Sequence, residues 1–317
     1  MYDEASATLP HGAWPVMLTP FNEDRSIDWN HVDEITDWLI DRGSAGIFTV
    51  ALSSEMYDLT ETERLALARR VVDCAAGRVP VVASAVASGS ATRQSEAVKA
   101  IADTGVTAVV LISSLVANLA ETEDQWRTTT EAILDANPGV DFGIYECPLP
   151  YKRLCSLQNV AWMAQTGRFV FFKDTSHSVD VMRDRLEVMA GTRMRLFNAQ
   201  ISSLTTTLRM GAAGFSGYAA NIYPEFVAWL CEQLADAAEE DILTVQRLLT
   251  VAEHSVNSRY PTSAKYFLAG SSRLDIRPVS RWRPESIGDH EGRPLLDLAE
   301  YIASLGLPTG ARVTGPR

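Results

Sequence analysis

Apolar residues come in short unbroken runs, each followed by a longer stretch in which they recur every three or four positions. The runs cover residues 13–21, 45–52, 79–86, 108–114, 141–148, 169–176, 194–200 and 213–220. The stretches after them cover 28–43, 60–77, 90–105, 121–139, 156–167, 178–191, 201–211 and 223–241. In the first stretch Val32, Ile35, Leu39 and Ile40 share one helical face, and Gly43 is a stop signal. Thr60 and Glu63 have the spacing of a capping box. Continuous apolar runs suit parallel strands covered on both faces. Eight strand–helix pairs therefore predict an α/β chain folded as a (β/α)8 TIM barrel. A doubly wound open sheet usually has fewer units and often a glycine-rich phosphate loop, and no GxGxxG or GxxxxGK[ST] occurs here. Beyond residue 241 the runs stop, and 242–256, 260–270 and 293–306 read as helices. The expected division is a barrel over 1–224 and C-terminal helices packed on it over 225–317.

Apolar residues make up 46% of the 317, enough for a large core. The net charge of −12 repels phosphate backbones, so no nucleic-acid partner is expected. No apolar run reaches membrane-spanning length, and the first residues lack the basic and apolar regions of a secretory signal. A cytoplasmic protein without a membrane partner is the expectation. Cys74, Cys147, Cys155 and Cys231 form no CxxC, and in a reducing compartment they read as free thiols. The five histidines are scattered without a ligand motif, so neither a metal nor another cofactor is expected.

Barrel enzymes carry their chemistry at the C-terminal ends of the strands. Here those ends offer Thr19, Ser53, Ser54, Ser113, Ser114, Tyr145, Lys173 and the stretch from Gly214 to Gly217. Lys173 follows the run Phe169-Val170-Phe171-Phe172. It is either a lysine that snorkels to the surface or an amine with a chemical task. An apolar setting disfavours the ammonium form, and a neutral amine can attack a ketone to give a Schiff base. A tyrosine such as Tyr145, on the neighbouring strand, can shuttle protons, though a core tyrosine is equally at home there. The chain has only four lysines, at 99, 152, 173 and 265, while arginine is plentiful. Strand alternation aims Asp174 at the opposite face from Lys173. Cys147 could line a site or be structural.

With these residues in place, the chain resembles the dihydrodipicolinate synthase / N-acetylneuraminate lyase family of class I, Schiff-base-forming aldolases. "GAWPVMLTPF" resembles the family's first strand, "ALSSEMYDLTETER" its Gly-Thr-Thr-Gly-Glu segment, "YECP" its Tyr-Asn-x-Pro and "FFKDTS" its lysine motif. "GAAGFSGYAAN" resembles its glycine-rich strand eight, and "PTSAKYFLAG" its C-terminal helices. The 28 residues between Tyr145 and Lys173 match as well.

The resemblance implies a barrel with a helical extension, assembled as a homo-oligomer, a dimer or a tetramer. Lys173 would form a Schiff base with pyruvate or another 2-keto acid, and Tyr145 would be the proton shuttle. Ser53, Ser54, Thr19 and Phe215 would bind substrate. Several positions depart from the family. Leu52 replaces a hydroxyl residue, Pro150 replaces an arginine, "SSLVANLA" lacks a tyrosine, and Ala199-Gln200-Ile201-Ser202 replaces acidic residues. Leu52, Ile201, Cys147 and Leu149 hint at a second substrate less polar than a sugar. A carbon–carbon lyase is the first reading. A 2-keto-3-deoxy sugar acid dehydratase or a dihydrodipicolinate synthase-like condensing enzyme is the alternative. A barrel that binds a keto acid without turnover comes last.

Overall fold

The computed structural model describes residues 8–271 and 273–307. The N-terminal residues 1–7, read above for a leader, and the end of the expected extension, 308–317, lie outside the described residues. Eight parallel strands form one sheet: β1 (Gly12–Ala13), β2 (Ile47–Thr49), β3 (Val81–Ser84), β4 (Ala108–Ile112), β5 (Phe142–Tyr145), β6 (Phe169–Asp174), β7 (Arg195–Asn198) and β8 (Gly214–Phe215). Their order is β1-β8-β7-β6-β5-β4-β3-β2. Parallel bridges from Ala13 to Ser44 and from Val16 to Phe48 join the two ends, so the sheet closes as a (β/α)8 barrel. Every expected strand is present, but each is shorter than its apolar run. The runs continue past the ladder into buried loops, so hydrophobicity overstates strand length.

The helices start where the polar signals put them. Asp28 accepts from the His31 amide ahead of Trp29–Asp41, and Thr60 and Glu63 form the expected capping box ahead of Glu61–Ala75. The helix expected over 223–241 stops at Gln233, and a new one begins at Glu239. Pro224–Gln233 packs against β1 and completes the eighth unit, so the division at 224/225 falls at its first residues. The helices Glu239–Val256, Thr262–Gly270 and Asp289–Ser304 form the extension. At the seam between first and last strands Gly214 has φ +153°, and a Cβ there would lie 1.9 Å from the Gly12 carbonyl oxygen. Only glycine lets β8 approach β1 this closely.

Alternation sorts β6 cleanly. Phe171 and Lys173 point into the barrel, while Phe172 and Asp174 face the surrounding helices, where Arg185 lies over the Phe172 ring at 5.0 Å. Inside, Phe171 stacks on Phe197 at 4.8 Å, and Trp14 lies 5.3 Å and 5.1 Å from those two rings. Phe48 meets Phe171 edge-on at 5.5 Å. These rings fill the barrel beneath Lys173.

A buried carboxylate, Glu55, gathers the extension at the barrel mouth. Glu55, buried and left-handed at φ 60°, follows the 3-10 turn Leu52–Ser54 after β2. It accepts from Lys265 Nζ at 2.7 Å, Ser280 Oγ at 2.8 Å, and the amides of Arg281 and Trp282 at 2.6 Å and 3.0 Å. Lys265 is fully buried, so removing Glu55 leaves an ammonium group in the interior without its counter-charge. Glu55→Ala is therefore expected to lower unfolding stability by about 3–5 kcal/mol in denaturant titrations. A loss below about 1 kcal/mol, the ordinary value of an exposed pair, would mean that this contact does not hold the two parts together.

Candidate active site

Tyr145 and Lys173 are paired residues of adjacent strands, β5 and β6. Lys173 Nζ lies 4.3 Å from the centre of the Tyr145 ring and 5.7 Å from that of Phe48. The lysine is 5% exposed, and no carboxylate lies within ion-pair distance of it among the described residues. Burial lowers its amine from the ordinary 10.5 to about 7, against weaker attractions from Cys147 and Glu253. Burial likewise pushes the Tyr145 hydroxyl well above its usual range, so it stays protonated at neutral pH.

The neighbours in sequence fix this pair from behind. Arg185, buried on the helix Val179–Met189, is hydrogen-bonded to Asp174 and donates to Glu146 at 2.6 Å and 3.1 Å. Glu146 also accepts from the Cys155 and Thr175 amides, and the Thr175 hydroxyl donates to the Glu146 carbonyl. Residues 146 and 174 directly follow Tyr145 and Lys173, so this network holds the ends of both strands.

Lys173 opens into a cavity of about 270 Å³ at the C-terminal ends of the strands. Val16, Leu52, Pro148, Ala199 and Trp282 give it an apolar wall. Ser53, Tyr145, Tyr218, Asn257 and Tyr260 supply the uncharged polar groups, while Lys152, His177 and Arg283 also contribute to the lining. Among the lining residues there is no carboxylate. No group of three or more His, Cys, Asp or Glu with metal-binding geometry occurs among the described residues, and no helix there is long and apolar enough to cross a membrane.

The expected site residues separate into two sets. Lys173, Tyr145 and Ser53 meet at the cavity. Ser54 does not reach it: its hydroxyl donates to the Met17 carbonyl at 2.7 Å and accepts from the Ala51 amide. Thr19 is drawn away as well, donating to the Ser54 carbonyl at 2.8 Å. The first strand ends early, and Val16 takes the lining position instead. Phe215 is fully buried, and Gly217 sits over its ring, where a Cβ would lie 2.5 Å away; Gly217 is the residue that lines the cavity. Ser113 and Ser114 are buried under the loop after β4, the carbonyl of Ser114 accepting from the Tyr151 hydroxyl.

Other groups surround the pair, and of these the sequence singled out Cys147. The thiol of Cys147 lies between the hydroxyls of Tyr145 and Tyr57, and burial pushes it up, so it is held as a thiol. Tyr260 comes from the extension; its hydroxyl accepts from Asn221 at 2.8 Å and its ring lies 4.6 Å from that of Tyr218. Tyr218 was within reach of the strand-end rule, one residue past the glycine stretch.

The model of the dihydrodipicolinate synthetase family matches residues 9–276. The chain belongs to the dihydrodipicolinate synthetase family. Membership brings the lyase class of enzyme with it. A 4-hydroxy-tetrahydrodipicolinate synthase of Gluconacetobacter diazotrophicus is 27% identical over 285 residues, covering 86% of this chain and 93% of the relative. The crystal structure of a dihydrodipicolinate synthase from Bacillus anthracis has a TM-score of 0.83 at 22% identity, covering 92% of this chain and 98% of that one. A sialic acid aldolase catalytic lysine mutant from Ruminococcus gnavus also scores 0.83, at 18% identity, covering 95% and 97%. Both structures share the fold of this family member.

The lowered amine of Lys173 makes a prediction about stability. Between about 7 and 10.5 the unfolded chain binds a proton on this group that the folded chain lacks, so stability rises with pH across that window. Lys173→Met does not titrate. Its stability advantage over the parent protein should be widest below pH 7 and shrink as the pH approaches 10.5. A gap independent of pH, in denaturant titrations, would give Lys173 an ordinary amine.

Proposed function

We propose that the protein is a Schiff-base-forming carbon–carbon lyase that acts on pyruvate or another 2-keto acid. The reading rests on the buried, unpaired amine of Lys173, lowered to about 7, opening into the cavity beside Tyr145. The neutral amine attacks the ketone carbon. Tyr145 relays one proton from the attacking nitrogen to the ketone oxygen and a second from solvent, the oxygen leaves as water, and an iminium remains. The iminium accepts the electron pair released when the bond from C3 to C4 breaks, and C4 leaves as an aldehyde as its hydroxyl proton passes through Tyr145 to solvent. Condensation is the reverse. Ser53 offers a donor for the keto-acid carboxylate. Cleavage of a carbon–carbon bond is preferred over dehydration of a sugar acid because Val16, Leu52, Pro148, Ala199 and Trp282 give the cavity an apolar wall that suits a second substrate less polar than a sugar. Four free cysteines suit a reducing compartment, and the cytoplasm and a homo-oligomeric state remain part of the proposal.

The test is reduction with borohydride in the presence of pyruvate. Lys173 should gain the mass of the keto acid less one oxygen atom, and Lys173→Ala should gain nothing. If no 2-keto acid in a screen leaves an adduct on Lys173, the proposal fails. Adduct formation should speed up as the pH rises through about 7, because the neutral amine is the nucleophile. Tyr145→Phe should slow imine formation by about 10²–10⁴, the usual contribution of a general acid–base group. A loss under about tenfold would assign the shuttle to another residue.

A further inference from the structure

One buried acid near the site is used by nothing described so far. Glu253 lies near the end of the helix Glu239–Val256, one turn before the cavity-lining Asn257. It is 7% exposed, and its Oε2 is buried without a hydrogen-bond partner among the described residues. Its carboxyl neighbours Tyr218, and Tyr218 lines the cavity. In the strand order β8-β7-β6-β5, Tyr218 follows β8 while Tyr145 ends β5. The two tyrosines therefore approach Lys173 of β6 from opposite flanks.

The chemistry of a Schiff-base lyase needs a proton acceptor that Tyr145 lacks. To become a nucleophile, the iminium must lose a proton from C3. The groups around the Tyr145 hydroxyl are the Cys147 thiol and the hydroxyls of Tyr57 and Tyr260, all held protonated by burial. None is a carboxylate. The acidic groups that act on Lys173 are Cys147 and Glu253, and only Glu253 is a carboxyl.

Resting on the Schiff-base reading, we propose that Glu253, acting through the hydroxyl of Tyr218, is the base that converts the Lys173 iminium to the enamine. The C3–H bond breaks and its electron pair becomes the C2–C3 double bond. The π pair of the iminium moves onto the nitrogen. The proton passes to the Tyr218 oxygen as the hydroxyl proton of Tyr218 moves to the Glu253 carboxylate. The reverse transfer protonates C3 when product leaves.

Charge times this step. In the free enzyme burial pushes the carboxyl up to about 8, so it mostly holds its proton at neutral pH, where Lys173 is charged only part of the time. The groups that face it are Tyr218 from the loop after β8, Lys173 from β6 and Tyr260 from beyond its own helix. Lys173 is the one cation among them, and its positive charge lowers Glu253. An iminium makes that charge permanent, so forming the adduct favours the ionised base.

Pyruvate in D2O tests the assignment without a second substrate. The parent protein should exchange the methyl protons of pyruvate, read as loss of the methyl signal by NMR, and Lys173→Ala should not. Glu253→Gln should still give the borohydride adduct on Lys173 but exchange at least about a hundredfold more slowly. At saturating pyruvate the parent rate should fall as acid protonates Glu253, and this limb should vanish in Glu253→Gln. Tyr218→Phe should show the same slow exchange with an intact adduct, and it decides the matter should Glu253→Gln fail to fold. Full exchange in a variant that forms the adduct overturns the proposal. Absence of any adduct in the parent protein overturns the Schiff-base reading itself.

Discussion

A single buried carboxylate, Glu55, is the constraint on which the rest of the mouth depends. It sits just past the turn after β2 and gathers an ammonium group, a hydroxyl and two backbone amides from the extension. Its left-handed backbone at φ 60° is an uncommon conformation for a non-glycine residue, and four donors from elsewhere in the chain hold it there. Two consequences reach the cavity. The turn carrying Leu52 and Ser53 is fixed against β2. On the other side, Trp282 and Arg283 are brought over the open end of the barrel. The Lys265 ammonium also lies over the Phe21 ring at 4.6 Å, and Arg281 lies over the same ring at 4.8 Å while forking Glu63. Two cations of the extension thus sit over the same barrel ring beside Glu55.

A second buried cluster does the same for Tyr145 and Lys173. Arg185 pairs with both Glu146 and Asp174, on the outer face of the strands whose inner face carries Tyr145 and Lys173. Alternation makes this possible: one residue along the strand turns the side chain from the cavity to the helices. The same two strands therefore present an arginine-bridged pair of acids outside and an unpaired amine inside. The contrast between Asp174 and Lys173, adjacent in sequence, comes from geometry alone.

Much of this was legible in the residues. The eight apolar runs and their helical partners mark the barrel, the capping box marks a helix start, and Lys173 and Tyr145 stand out as polar groups at the ends of apolar strands. The opposite orientation of Asp174 follows from period two. Where the reading went astray, local chain geometry was the reason. The first strand ends at Ala13 while its apolar run continues, which put the expected site residue at Thr19 where the cavity has Val16. Ser54 and Thr19 look like free hydroxyls in sequence, yet each satisfies a backbone carbonyl. Phe215 ends its strand, but Gly217 folds over it. Tyr260, Trp282, Arg283 and Glu253 come from segments that carry only ordinary helical or loop patterns. Their approach to the cavity depends on long-range packing, which one-dimensional periodicity does not encode.

The aromatic plug below Lys173 has a consequence for traffic. Trp14, Phe48, Phe171 and Phe197 fill the barrel from wall to wall, so the amine has solvent access from one side only. A blind-ended chamber imposes an order on its occupants. Whatever bonds to the amine occupies the bottom and must arrive first. Anything that reacts with it lies above, nearer the exit, and must leave before the bound piece can. First in, last out is then a property of the barrel's closed floor and needs no moving part.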